Sequence, residues 1–326
     1  MLTFETGLRI LRRAAAALLL GVVVAFANLT PAAAQQPAND AALMEALKGT
    51  LSGRVSIPDE KSGLLQQPQG REWREMREGP VKSFGGWLLV AVVVGLCAFF
   101  AWRGRVRVEG GLSGRTIERF SPTERFTHWL TAVSFIVLGL SGLNMSFGRR
   151  LILPLIGPDA FAGLTEIGKW SHDYLSFAFV LGVFLMAVIW LRHNFFNALD
   201  AQWFKDGGGI LKKGVHPPSS KFNAGQKIMF WAVMLGALVQ AVSGYMLMFP
   251  FYFADMAGMQ LSLLVHAVSG ILFVALILAH IYIGTLGMEG AFDAMGTGQV
   301  DVNWAREHHS LWAKEEGGGA RAHGDD

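Results

Sequence analysis

The feature that most constrains this chain is a long segment, residues 256–288, that contains no Asp, Glu, Lys or Arg but holds two histidines. His266 and His280 stand 14 positions apart. In an α-helix that separation is a rise of about 21 Å and almost four full turns, so both side chains leave one face. An ionisable side chain inside hydrocarbon is costly and marks a functional site. The spacing therefore predicts two stacked metal centres at different membrane depths, with haem as the first candidate.

Composition restricts how the chain could hold a haem or another metal centre. The chain is 52% hydrophobic and 16% charged, against about 25% charged in soluble domains. Its net charge of +3 is too small to indicate a nucleic-acid partner. Cys97 is the only cysteine and no C-x-x-C-H motif is present, which excludes covalent haem attachment. Four-cysteine Fe–S clusters are excluded as well. Any haem must be held by coordination and packing.

Apolar runs of membrane-spanning length occur five times. They are Phe84–Trp102, Trp129–Phe147, Tyr174–Leu191, Ile228–Ala254 (which includes Pro250) and Met256–Met288.

The N-terminal residues 1–34 resemble a secretory signal, with a basic start, a short apolar stretch and an Ala32-Ala33-Ala34 cleavage site. An uncleaved anchor helix is the alternative. We interpret residues 35–83 as a polar extracytoplasmic segment.

The charge of the loops predicts orientation. Loops 103–127 and 192–227 carry six basic residues each, whereas loop 148–173 carries three and loop 250–262 none. The positive-inside rule places the two basic loops and the C-terminus in the cytoplasm and the mature N-terminus in the periplasm. We expect a multi-pass protein of the bacterial inner membrane.

Two more histidines begin apolar runs at matching depths. His172 is expected near the outer face with His266, and His128 near the inner face with His280. Two neutral imidazoles give a six-coordinate iron suited to electron transfer. Taken singly, a histidine at a helix end is an interfacial residue that reaches water. We assign the histidines of the C-terminal tail, including His308 and His309, to solvent, with an interfacial helix or partner contact as the alternative.

Four segments together resemble the gamma subunit, a b-type cytochrome, of respiratory formate dehydrogenase of the N type. These are Arg125-Phe126-Thr127-His128-Trp129, the N-A-G-Q-K segment within residues 221–231, the two-histidine helix 264–282, and Trp304-Ala305-Arg306-Glu307-His308-His309. The likeness covers roughly residues 115–316. The chain departs from the family at two points. Asp173-Tyr174 follows His172, where the family is expected to have His-Pro. The chain also adds a signal peptide, an external segment and one more span at its N-terminus.

The resemblance implies an all-α membrane protein with a four-helix transmembrane core, 115–316, that binds two b haems. To this core the chain adds one transmembrane helix, 84–102, and we expect residues 317–326 to form a disordered tail. It implies an Fe–S beta subunit and a molybdenum- or tungsten-containing alpha subunit as partners, in a possible trimer of heterotrimers. Electrons from the periplasmic Fe–S subunit would pass through both haems and reduce quinone near the cytoplasmic face.

The resemblance also assigns Asn223, Gly225 and Gln226 to quinone binding, since amides hydrogen-bond to a quinone carbonyl. From the residues alone, the same segment is a helix N-terminus capped by Asn223. Two other functions stay open. One is the di-haem subunit of a hydrogenase or thiosulfate reductase complex, and the other is a haem-free transporter that uses histidines as a proton relay.

Overall fold

The computed structural model describes residues 68–209 and 214–322. The signal peptide and most of the polar segment 35–83 that the sequence predicts lie outside these residues. Within them the chain is largely helical, as predicted.

The helices follow one another with few long connections. In chain order they are α1 (Pro68–Met76), α2 (Lys82–Arg103), α3 (Pro122–Leu151), α4 (Leu153–Ile156), α5 (Pro158–Trp190), α6 (Ala198–Lys205), α7 (Ala224–Met248), α8 (Met256–Tyr282), α9 (Asp293–Gly296), α10 (Val302–His308) and α11 (Ser310–Ala322). Single π-helical segments occupy Arg77–Val81 and Ile283–Gly287, and 3₁₀ turns occupy Leu191–His193 and Gly207–Gly209. Strands β1 (Thr116–Glu118) and β2 (Gln299–Asp301) pair antiparallel, Ile117 opposite Val300.

Among the described residues, five helices are long and apolar enough to cross a membrane, which confirms the five predicted spans. They are Glu72–Arg103, Pro122–Leu151, Pro158–His193, Ala224–Met248 and Met256–Gly287. The fourth run was expected to reach Ala254, but α7 ends at Met248. Phe249 leaves the helical region at φ −114°, ψ 72°, because a residue before proline is disfavoured there and Pro250 cannot continue the hydrogen-bond ladder.

Two of the spans, α3 and α8, begin at residues whose side chains cap the helix. Ser121 accepts a hydrogen bond from Glu124 N–H and the Glu124 carboxylate accepts one from Ser121 N–H, with Pro122 at the first helical position. Asp255 accepts a hydrogen bond from Gly258 N–H at the start of α8. Caps of this kind stabilise a helix by about 1 kcal/mol, so Ser121 and Asp255 fix where these two spans start.

The additional span, α2, packs against α8. Gly85 is its buried residue, and a Cβ there would collide with the Ile271 side chain. Phe84 and Trp87 are largely exposed and face outward, where lipid would lie. The helix therefore joins the bundle along one narrow seam.

An aromatic layer crosses the middle of the bundle. Phe135 (α3), Phe179 (α5) and Phe273 (α8) have ring centroids 4.8 to 6.3 Å apart. Opposite them, Gly236 of α7 makes room, since a Cβ there would lie 3.3 Å from the Phe273 ring. These three side chains fill the bundle between its two ends.

The two basic loops and the C-terminal segment meet at one end of the bundle, which we call the polar end: residues 104–121, 194–209, 214–223 and 288–322. Val106 N–H donates to Gly287 O at 2.8 Å, and Arg119 N–H donates to Gly298 O at 2.7 Å. Leu311 N–H donates to Ser219 O at 3.1 Å. Both loops that the charge rule assigns to one side of the membrane thus lie on one side of the bundle.

The polar end contains a buried ion pair. Lys227 Nζ, near the start of α7, lies 2.8 Å from Asp200 Oδ2 of α6, and both side chains are 6% exposed or less. Removing one partner of such a pair leaves an uncompensated buried charge, at a cost of about 3–5 kcal/mol. The Glu78 carboxylate, paired with Arg77 and Lys82, is about a third exposed, and exposed pairs contribute about 0–1 kcal/mol.

We expect Asp200→Asn to lower the thermal unfolding midpoint of the detergent-solubilised protein clearly, because Lys227 loses its counter-ion. Glu78→Gln serves as the matched control and should shift the midpoint little. Circular dichroism against temperature measures both. Equal midpoints for the two variants would contradict a structural role for the buried pair.

Candidate metal centres

The structure brings the four predicted histidines together as two pairs. His172 of α5 and His266 of α8 form the outer pair, with ring centroids 6.1 Å apart and planes inclined by 69°. His128 of α3 and His280 of α8 form the inner pair, with centroids 6.3 Å apart and planes inclined by 54°. The pairs are those that depth matching predicted, and α8 contributes one member to each.

These separations fit an ion held between two imidazoles. A metal about 2 Å from a nitrogen of each ring places the two centroids roughly 6 Å apart. No group of three or more His, Cys, Asp or Glu side chains that could hold a metal occurs among the described residues. Two ligands are too few for a structural zinc site, which takes four. They suit an iron whose other ligands come from a macrocycle.

The helix register separates the two pairs evenly. Phe273 stands seven residues after His266 and seven before His280, while Phe135 and Phe179 stand seven residues after His128 and His172. Seven residues are about two helical turns, or roughly 10 Å. The aromatic layer therefore lies midway between the pairs, which are two separate sites.

Serine hydroxyls hold both rings of the outer pair. Ser141 Oγ lies 2.9 Å from His172 Nδ1, and Ser243 Oγ lies 3.1 Å from His266 Nδ1. In the sequence these two residues carry no signal of this role beyond that of a serine within an apolar helix.

A glycine follows each of these serines and leaves space beside the ring. A Cβ on Gly142 would lie 3.5 Å from His172 Cε1, and one on Gly244 would lie 3.1 Å from His266 Cε1. A Ser-Gly pair thus lies beside each outer histidine: one on α3 beside His172 and one on α7 beside His266.

The inner pair is held differently. His128 Nδ1 is buried and has no hydrogen-bond partner among the described residues. One turn earlier, the Glu124 carboxylate accepts hydrogen bonds from Trp190 Nε1 at 2.7 Å and Lys221 Nζ at 2.6 Å. Lys221 lies two residues before Asn223. The segment predicted to bind quinone is therefore tied to the helix that carries His128, about one turn from that histidine.

The predicted quinone residues form the N-terminus of α7. Asn223 Oδ1 accepts from Gln226 N–H at 3.0 Å, and Gln226 Oε1 accepts from Asn223 N–H at 3.1 Å. These two reciprocal hydrogen bonds form a capping box. The box uses both side-chain oxygens, and the amide NH₂ groups take no part in it. At Gly225 a Cβ would lie 2.9 Å from the Trp203 ring, so glycine lets α6 approach α7.

Asn223 lines a shallow cleft of about 190 Å³, open to solvent, together with Asp200, Trp203 and Ser219. Neither Gly225 nor Gln226 lines it. The capping role, which the residues alone predict for Asn223, is confirmed.

The assignment of the C-terminal histidines to solvent is wrong for His309, which is 1% exposed. Its Nδ1 lies 3.0 Å from Ser220 O and its Nε2 lies 3.3 Å from Arg119 Nη2. Because a carbonyl accepts, Nδ1 carries the proton and Nε2 accepts from the guanidinium. Arg119 also donates to Lys221 O and stacks over Trp312, 4.4 Å from the ring centre.

Burial governs the titration of these groups. It lowers the pKa of Arg119 to about 9 and the pKa of His308 to about 4. Burial and the neighbouring Arg119 hold the pKa of His309 well below its usual value. The C-terminal helices are thus docked through neutral histidines.

The chain is similar to known cytochrome proteins. Residues 119–298 match the family model described as prokaryotic cytochrome b561. The chain belongs to that family. It is an integral membrane cytochrome b, and family membership implies haem b.

Several curated relatives are cytochrome b556 subunits of formate dehydrogenases. The chain is 32% identical over 206 residues to that of the nitrate-inducible enzyme of Escherichia coli strain K12, covering 62% of this chain and 92% of the relative. A second Escherichia coli subunit is 29% identical over 203 residues (61% and 93%). One from Haemophilus influenzae is 27% identical over 221 residues (64% and 87%). The resemblance to the cytochrome subunit of formate dehydrogenase is confirmed.

We expect the polar end to loosen as the pH falls below about 6.5. His309 is neutral in the fold but takes up a proton when unfolded, so each pH unit below that value removes about 1.4 kcal/mol of stability. Hydrogen exchange of residues 302–316 between pH 7.5 and 5.5 measures the change. His309→Gln, whose amide offers a donor to Ser220 O and an acceptor to Arg119, should reduce the pH dependence and leave the His308 contribution. An unchanged dependence in this variant would contradict the assignment.

Proposed function

We propose that this chain is the di-haem cytochrome b subunit of a formate dehydrogenase and conducts electrons across the membrane to quinone. The observation that carries the proposal is the geometry of the two histidine pairs, whose ring centroids are 6.1 and 6.3 Å apart. We call each pair a clamp. Helix α8 contributes one histidine to each clamp, and α5 and α3 contribute the others. A transporter that uses histidines as a relay does not require rings at metal-binding separation, and a structural anchor requires no clamps.

The residues present fit two b haems. His172 and His266 would hold the outer haem iron, and His128 and His280 the inner one. When bound, each haem supplies a one-electron ferric/ferrous couple. The helices would supply the histidine nitrogens that hold the iron and the glycines that leave space beside the outer rings. The aromatic layer would exclude water between the two sites.

The names of the relatives support the existence of partner subunits, because each relative is one subunit of a formate dehydrogenase. A formate dehydrogenase oxidises formate in a subunit other than its cytochrome, so we propose an Fe–S beta subunit and a molybdenum- or tungsten-containing alpha subunit, with assembly as a trimer of heterotrimers. The chain lies in the inner membrane with its polar end in the cytoplasm. The gathering of both basic loops at one end of the bundle supports this orientation.

For quinone we propose the start of α7, Asn223, Gly225 and Gln226. The Asn223 amide NH₂ group, which the capping box leaves out, donates to a quinone carbonyl. Gln226 fixes Asn223 through that box, and Gly225 keeps α6 close. The link from Lys221 to Glu124 supports the placement, because it ties this segment to the start of the helix that carries His128.

For the domain organisation we propose a cleaved signal peptide, 1–34, a periplasmic segment, 35–83, and an additional span, 84–102, that precedes the di-haem domain, 115–316. The single seam between α2 and α8 supports a separate role for that span, as an anchor or an assembly contact.

We expect the complex to contain two b haems per chain, quantified by pyridine haemochrome and a dithionite-reduced spectrum. His266→Ala and His280→Ala should each retain about one, because each removes one clamp. Leu272→Ala, on the exposed face of the same helix, is the matched control and should retain both. A haem-free wild-type complex, or one haem only, would refute the proposal.

Gln226→Ala should retain both haems but slow electron delivery to quinone, because Asn223 loses the partner that fixes it. Stopped-flow reoxidation of the reduced haems by a soluble quinone measures the rate. The exposed Gln202→Ala, on α6, is the control and should leave the rate unchanged. Wild-type kinetics in Gln226→Ala would remove it from the quinone site.

A further inference from the structure

We infer that Ser141 and Ser243 are positioning residues that fix the tautomer of the outer histidines and set the outer haem at a lower potential than the inner haem. The inference rests on the proposed di-haem function. It adds two side chains that would contribute to a difference in potential between the sites, and such a difference favours the outer-to-inner electron movement already proposed.

The hydrogen bonds of the two serines define the proton on each ring. Ser141 Oγ donates to Val137 O at 2.7 Å, and Ser243 Oγ donates to Val239 O at 2.6 Å. Each hydroxyl proton is thereby committed to its own helix. The oxygen can then only accept from the histidine, so Nδ1 of both His172 and His266 carries the proton.

This assignment leaves Nε2 of each ring as the nitrogen with a free lone pair. It is the nitrogen that can face an iron, and the serine prevents the ring from turning to present Nδ1 instead. Two bonds of the same type, contributed by α3 and α7, therefore orient both outer ligands from opposite sides of the bundle.

The same bonds alter the electronic character of the ligands. An imidazole that donates its N–H to an acceptor becomes more basic. A more basic ligand stabilises the ferric state over the ferrous state, because the oxidised iron carries more positive charge. Hydrogen bonding behind the ligand is one of the means by which a protein tunes a haem potential, and here it acts on both axial ligands.

The inner pair lacks this arrangement at His128, whose buried Nδ1 finds no acceptor among the described residues. Without an acceptor the ring is the weaker donor to iron, and the ferrous state is relatively favoured. The outer site is therefore the lower-potential site.

Other serines in the spans separate this role from ordinary helix chemistry. Ser134 Oγ donates to Leu130 O at 2.7 Å in α3, and Ser262 Oγ donates to Gly258 O at 2.7 Å in α8. Both make the same bond to the preceding turn as Ser141 and Ser243, and the hydrogen bonds of both go to groups other than a histidine. They are matched controls in the same membrane environment.

The test is a mediated redox titration of the haems in the intact complex, followed by absorbance, with electron paramagnetic resonance of the oxidised form. The wild type should show two midpoints. Ser141→Ala and Ser243→Ala should each raise the lower midpoint and shift one of the two ferric signals, leaving the other midpoint unchanged. Ser134→Ala and Ser262→Ala should reproduce the wild type.

Combination with His280→Ala assigns the shift, since only the outer haem then remains and its midpoint should still rise. Loss of one haem in Ser141→Ala and Ser243→Ala, with both retained in the two controls, also supports the positioning role. Unshifted midpoints with both haems present, or equal shifts in the controls, would overturn the inference. A wild-type complex without two haems would instead refute the proposed function.

Discussion

The cost of placing imidazoles where water is absent governs this structure. Helix α8 carries no charged residue, yet His266 and His280 project from it into the bundle. Each of these imidazoles faces a second one from another helix across a gap that a metal ion would fit: α5 brings His172 to His266, and α3 brings His128 to His280. The bundle is thus organised around α8, with neighbouring helices placed to complete two clamps.

The space between the clamps follows from helix geometry. With histidines two turns above and below, α8 presents Phe273 at the same height as Phe135 and Phe179. The three rings exclude water from the middle of the bundle and keep the sites apart. On the α7 side a glycine faces the ring, so close packing there is retained without a fourth large side chain.

The polar end shows a different principle. Several charged groups there are paired or stacked on aromatic rings: Lys227 with Asp200, Lys221 with Glu124, and Arg119 with Trp312 and neutral His309. These contacts bind the loops before α3 and α7 to the C-terminal helices. They fix the start of α7 against the helix of the inner pair, where the proposed quinone residues lie, so the stability of this end and the proposed delivery of electrons depend on the same side chains.

The sequence by itself determined the features that depend on local pattern. Apolar length gave the five spans, a fixed rise per residue placed His266 and His280 at different depths, and matched depth paired each with His172 or His128. The tertiary structure decided what depends on contacts between distant segments. Ser141 and Ser243 look like ordinary helix serines until another helix brings a histidine to them, and His309 looks solvated until the loops close over it. A hydrogen bond between residues far apart in the chain leaves no periodic trace, because its geometry is set by how the helices pack.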